Sequence, residues 1–219
     1  AIVLGKTGAG KSELLYNIVL NTLREYSPNE VHLYLANLQM EQLVIEKLRS
    51  YVKVCEDYNE VKDIIALLSY ACLCMENRLQ LMARLGVENI SELQTVASEG
   101  MSVRVIMPRK LFVLDRMYAV WTEATTKEIE TIQQLMKNLL ASGAKSGVHL
   151  LVSCRDIGDR IEETIPEGFG NRLIMKHKNN VSKKFLGDDS ALSMEEGELY
   201  AVTAEDFEEK LKYKVPLIG

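Results

Sequence analysis

The chain has 219 residues, 26 Lys and Arg against 31 Asp and Glu, and a net charge of −5. That length fits one α/β domain better than two, and 4 prolines and 13 glycines exclude collagen, proline-rich linkers and low-complexity disorder. The sequence contains no run of about 18 uncharged apolar residues of the kind a spanning helix needs, and its mild acidity argues against a surface that coats itself with nucleic acid, although a local basic groove is compatible with it.

Taken in order, the pattern alternates strand and helix. Ile2–Leu4 reads as a short apolar strand, and residues 11–26 place Leu14, Leu15, Ile18, Val19 and Leu23 at helical spacing. Ser27-Pro28-Asn29 ends that helix, because proline cannot continue the hydrogen-bond ladder. A strand over 31–35, a helix over 40–49 and a short strand over Val52–Val54 follow. Asp57 is a candidate cap for a long helix through Leu85, stopped by Gly86, and Ser91 with Gln94 fits a capping box for a short one. Leu111–Leu114 is a β run, 126–141 a helix and 148–152 another β run, and further strands fit 172–176 and 198–202 before an extended segment near 211–218. Such alternation predicts an α/β fold, a mainly parallel sheet flanked by helices on both faces. Because the first residues already read as sheet, the expectation is a piece of a longer chain. Cys55, Cys72, Cys74 and Cys154 lack zinc-ribbon or disulfide-framework spacing. They read as small buried hydrophobes of a reducing cytoplasm.

Residues 5–12 read Gly5-Lys6-Thr7-Gly8-Ala9-Gly10-Lys11-Ser12, a full match to the phosphate-binding loop Gly-x-x-x-x-Gly-Lys-Ser/Thr. Glycines there let successive N–H groups turn inward and form an anion nest at the start of a helix. At average composition a chance match in a chain this long is roughly one in a hundred, and the loop falls between a strand and a helix, as the chemistry requires. Gly5 through Ser12, with Glu13 beside them, are the expected phosphate-binding residues. Lys11 is expected to reach the β- and γ-phosphates and Ser12 to ligate Mg²⁺.

The second half of such a site is a β run ending in an acid that supports the metal, and Leu111-Phe112-Val113-Leu114-Asp115 supplies it. Position 116, where a hydrolytic motor places the base that orients water, is Arg116; an arginine cannot accept a proton at neutral pH. Glu123 is the nearest downstream acid. Val152-Ser153-Cys154-Arg155 is a third piece. If its strand lies between the phosphate-loop strand and the Asp115 strand, its end faces the γ-phosphate. Ser153 is then expected to sense phosphate and Arg155 to contact the site or a neighbouring subunit. Lys176-His177-Lys178 and Lys183-Lys184 form a small basic cluster that reads as solvated surface before it reads as a contact patch. His32, His149 and His177 have no metal-ligand spacing and read as structural. Trp121 reads as packing, and the apolar stretch 58–85 as core rather than a cofactor box.

With these pieces assembled, the chain resembles the FtsK/SpoIIIE family of P-loop motor domains, which includes DNA translocases and the EssC/EccC ATPases of type VII secretion. The resemblance rests on the phosphate loop and on Tyr26-Ser27-Pro28-Asn29-Glu30-Val31, Met75-Glu76-Asn77-Arg78, Arg84 to Ile90, Met107-Pro108-Arg109, Gly147 to Leu151 and Gly197-Glu198-Leu199-Tyr200. It implies a RecA-like core that binds ATP and Mg²⁺ and works in a ring, usually a hexamer, or a tandem array, where a neighbouring ATPase domain completes each site. It further implies the cytoplasmic domain of a membrane-associated bacterial protein, with residues 1–219 as one motor domain and the membrane contact in other parts of the parent. Secreted protein and double-stranded DNA are the two implied cargoes.

The departures from the family pattern are as informative. Ala36-Asn37-Leu38-Gln39 replaces the usual Asp-Pro-Lys-Gly, Asp115-Arg116 replaces Asp-Glu, and Ser153-Cys154-Arg155-Asp156 replaces Thr-Gln-Arg-Pro. Val181-Ser182-Lys183-Lys184 occupies the region of a usual Asp-Ser-Arg. The expectation is therefore a translocase domain with Asp115, Ser153 and Arg155 as its catalytic set, one that binds ATP and hydrolyses it poorly. An active DNA-translocating ATPase and a non-catalytic docking module for a partner or signal peptide are the alternatives.

Overall fold

The computed structural model describes residues 1–38, 51–56, 60–99, 107–155, 168–203 and 210–215. The expected helix over 40–49 and the Asp57 cap lie outside them. In chain order the elements are β1 (Ile2–Leu4), α1 (Lys11–Glu25), β2 (Val31–Ala36), β3 (Val52–Glu56), α2 (Val61–Leu85), α3 (Ile90–Ser98), β4 (Arg109–Leu114), α4 (Met117–Glu123), α5 (Thr126–Ser146), β5 (Val148–Cys154), β6 (Asn171–Met175), α6 (Asn179–Leu186), a 3₁₀ turn at Ser190–Leu192, β7 (Glu198–Thr203) and β8 (Leu211–Lys214).

The strands form one sheet in the order β3-β2-β4-β5-β1-β6-β7-β8. From β3 to β6 every pairing is parallel, while β7 and β8 join antiparallel. Central strands buried on both faces read as continuous apolar runs, and Ile2-Val3-Leu4 and Phe112-Val113-Leu114 are almost fully buried. Alternate side chains divide between two cores. Ile2, Leu4, Phe112, Leu114, Leu150 and Val152 pack with α2, α4, α5 and α6; Val3, Leu33, Leu35, Val113 and Leu151 pack with Leu14, Leu15 and Val19 of α1. Helices thus cover both faces, as predicted.

Several local expectations shift. The cap of α3 is Asn89, whose Oδ1 accepts the amides of Ser91 at 3.0 Å and Glu92 at 3.1 Å. Its extended backbone and short side chain reach those donors directly. Gln94, expected to close a box on Ser91, instead donates to the Met107 carbonyl at 2.9 Å. Helix α5 runs on to Ser146, where Gly147 stops it at φ 71°, and α4 and α6 are two helices the sequence pattern did not flag. Trp121 is buried on α4, as its packing role required.

Candidate functional site

The loop after β1 is held from both sides. Gly5 N–H donates to the Cys154 carbonyl at the end of β5, and Lys6 N–H donates 2.9 Å to the Lys176 carbonyl just past β6. Gly5 has no room for a side chain, since a Cβ there would sit 3.0 Å from that of Met175. Gly8 and Gly10 take φ of 77° and 92°, angles that favour glycine. Gly10 is the N-cap of α1, so the amides of Lys11, Ser12 and Glu13 have no carbonyl one turn before them and are donors for an anion. Lys11 Nζ donates to the Lys6 carbonyl at 3.0 Å. Burial lowers the Lys11 pKa, and the nearby Asp115 carboxylate partly offsets this.

Strand β5 lies between β1 and β4, with Leu4 opposite Cys154 and Leu114 opposite Val152. The ends of all three strands, and the residues they carry, therefore converge at the C-terminal edge of the sheet, where open α/β sheets bind ligands. Asp115 is 1% exposed. Ser12 Oγ donates 2.7 Å to its Oδ2, while Ser153 Oγ and the Arg116 amide donate to its Oδ1. The two residues expected to support Mg²⁺ are thus adjacent, and they are hard oxygen donors of the type that ion takes, with room for water and phosphate to complete the shell. Arg116 adopts φ 57° as the N-cap of α4.

These groups open onto a cleft of about 620 Å³ lined by Thr7, Gly8, Gly10, Lys11, Ser12, Glu13, Asp115, Arg116 and Arg155. Tyr118, Ala119, Thr122 and Glu196 complete its lining. The Arg155 guanidinium lies 4.1 Å from the centroid of the Tyr118 ring. Its carbonyl is held by His177, whose Nδ1 accepts the Lys178 amide at 2.8 Å, so the proton is on Nε2 and is donated to Arg155 O at 2.8 Å. His177 is structural, as read. Ser153 is buried and bonded to Asp115 rather than on the cleft wall, and Gly5, the exposed Lys6 and the buried Ala9 also lie outside the cleft lining. Glu123 is exposed and lies outside the cleft lining. Tyr118 and Glu196 were not anticipated: Tyr118 is the second residue of the helix that Arg116 caps, a signal available once α4 is recognised, whereas Glu196 comes from a distant turn and left no mark in the sequence. Within the Lys183 region, Ser182 is buried and ties Asp188 O to the Ala191 amide, while Lys183 faces Asp189 at the surface.

A phosphate loop, an acid at the end of the next-but-one strand and an interposed third strand define a P-loop domain with a RecA-like α/β fold. The FtsK/SpoIIIE family model matches residues 1–180, and the chain belongs to that family. The DNA translocase SftA of Bacillus subtilis is 24% identical over 207 residues, covering 90% of this chain and 21% of SftA. The chain thus spans about a fifth of that relative's length. Among solved structures, the cytoplasmic domain of the Thermomonospora curvata type VII secretion ATPase EccC superposes with a TM-score of 0.76 at 22% identity, covering 100% of this chain and 26% of that one. The pCW3 conjugation coupling protein TcpA, solved in its monomer form with ATPγS, gives a TM-score of 0.76 at 18% identity over 97% of this chain and 58% of its own. These two likenesses are of fold.

Proposed function

We propose that residues 1–219 are one motor domain of a longer translocase, that it binds Mg·ATP, and that it hydrolyses ATP slowly because Arg116 stands where a hydrolytic base is needed. The observation that carries this reading is the composition of the cleft. Arg116 lines it directly after Asp115, and among the described residues its other carboxylates, Glu13 and Glu196, come from α1 and from the turn before β7. In this reading Gly8, Gly10, Lys11 and the first amides of α1 hold the phosphates. Ser12 and Asp115 hold Mg²⁺, which when bound neutralises charge developing on the phosphates. Arg116 and Arg155 face the terminal phosphate, and Ser153 acts through Asp115. A direct sensing role for Ser153 requires its hydroxyl to turn away from that carboxylate.

Family membership supports assembly with like domains, in a hexameric ring or a tandem array, as the cytoplasmic part of a membrane-associated bacterial protein. Either cargo suits this reading: SftA is named a DNA translocase, which favours DNA, and EccC a type VII secretion ATPase, which favours a secreted protein. The SftA match also favours a second reading, an active DNA-translocating ATPase. Calorimetry separates them in part. The first reading expects micromolar-class Mg·ATP binding that Lys11→Ala abolishes, with no turnover added by double-stranded DNA. Absence of binding contradicts both, and DNA-stimulated hydrolysis favours the second.

A further inference from the structure

The geometry points to Glu196 as the residue that recognises the ribose of the bound nucleotide, an inference that rests on the nucleotide site proposed above. The Ser12–Asp115 pair places the metal, and with it the terminal phosphates, on the β5–β4 side of the phosphate loop. Arg116 and Arg155 stand on that same side, at the ends of β4 and β5. A nucleoside triphosphate lying along the loop must carry its sugar in the opposite direction, toward β6 and β7. The side chain that β7's leading turn contributes to the cleft there is Glu196.

That turn is fastened to the phosphate loop itself. Gly197 N–H donates to the Ala9 carbonyl at 3.2 Å, Val215 N–H donates to the Gly197 carbonyl at 2.8 Å, and a Cβ on Gly10 would lie 3.6 Å from Gly197 Cα. Glu198 accepts the Glu195 amide at 2.9 Å and pairs with Lys212 at 3.0 Å, while Glu195 faces Lys214 at 3.7 Å. Of the three acids in this turn, Glu196 is the one on the cleft wall, presented from a firmly held backbone. A carboxylate repels phosphate and can only accept hydrogen bonds. The donors nearest the α-phosphate in a ribonucleotide are the ribose hydroxyls, and acids serve this purpose in other nucleotide-binding α/β folds. The base lies one step further out than a turn held against Gly10.

Calorimetric titration of the wild type and Glu196→Ala with the Mg²⁺ complexes of ATP, 2′-deoxy-ATP, 3′-deoxy-ATP and inosine triphosphate, and with inorganic triphosphate, tests this. The wild type is expected to bind ATP about 3- to 10-fold more tightly than at least one deoxy analogue. Glu196→Ala is expected to erase that difference by weakening ATP alone, and to leave inorganic triphosphate unchanged or tighter, since a negative charge has been removed. Equal weakening of ATP and inorganic triphosphate, an unchanged ratio of ATP to its deoxy analogues, or a loss that tracks only the amine missing from inosine triphosphate overturns the assignment. A wild type that binds neither ATP nor inorganic triphosphate removes the nucleotide site, and this assignment with it.

Discussion

Both oxygens of Asp115 are engaged before any ligand arrives: Oδ2 accepts from Ser12, and Oδ1 from Ser153 and the Arg116 amide. A metal that recruits Ser12 must displace its hydroxyl proton from Asp115, while Ser153 and the amide keep the carboxylate aimed. Ser153→Ala is therefore expected to weaken Mg²⁺-dependent ATP binding by about 1–2 kcal/mol, or roughly 5- to 30-fold, with little effect on nucleotide binding measured without Mg²⁺. Lys11 adds a pH dependence. Its pKa is lowered in the free cleft, chiefly by burial, and bound phosphate raises it again, so binding takes up a proton wherever free Lys11 has begun to lose one. Affinity is fullest below the lowered pKa and declines as pH rises through it. Lys11→Arg, which stays protonated, is expected to flatten that decline whatever it does to the affinity itself; titrations across the alkaline range check this.

Among the elements, α2 and α5 cover the face of the sheet on which α4 also packs. Arg78 ties them: its guanidinium donates to Ser146 O at 2.9 Å, to Gly147 O at 3.2 Å and to Pro108 O. It thus satisfies carbonyls at the C-terminal end of α5, where a cation is also favoured by the helix dipole, and anchors the approach to β4. This gives a physical reason for the Met75-Glu76-Asn77-Arg78 segment that the family resemblance singled out. Arg78→Ala is expected to cost about 2–4 kcal/mol and to lower Tm by roughly 5–15 °C in a thermal melt. Gly143 is the second tight point, because an added Cβ would lie 2.5 Å from the Val148 carbonyl. Gly143→Ala should destabilise by about 1–3 kcal/mol although alanine is the better helix former; Gly86→Ala, at φ 68° with open space around it, is limited to the backbone cost of about 1–2 kcal/mol.

The legibility of the chain follows from what each element depends on. Helices α1, α2 and α5 and the buried parallel strands were visible because burial on one or both faces imposes a long apolar pattern. Helix α4 was hidden: seven residues, with an arginine in left-handed conformation as its cap, give too short a period to read. The cap of α3 lies two residues before the expected Ser91, because Asn89 and Ser91 both offer capping chemistry and only the backbone angle decides. At the level of the whole molecule, the position of β5 between β1 and β4 was posed as a condition and is met. The antiparallel attachment of β7, which carries Glu196 to the phosphate loop, depends on long-range pairing that leaves no local signal. That the phosphate loop, Asp115 and Arg155 meet on one cleft is thus legible in the sequence, and the wall opposite them is not.

The central claim is that the cleft binds Mg·ATP and lacks a base at position 116. The most direct test follows the fate of γ-labelled ATP at saturating Mg²⁺ on the wild type and on Arg116→Glu, in an assembly that supplies the neighbouring domain. The wild type is predicted to retain the label largely as ATP, and Arg116→Glu to release phosphate at least about a hundredfold faster, the low end of what a positioned base contributes. Equal rates in the two proteins, whether fast or slow, would contradict the account.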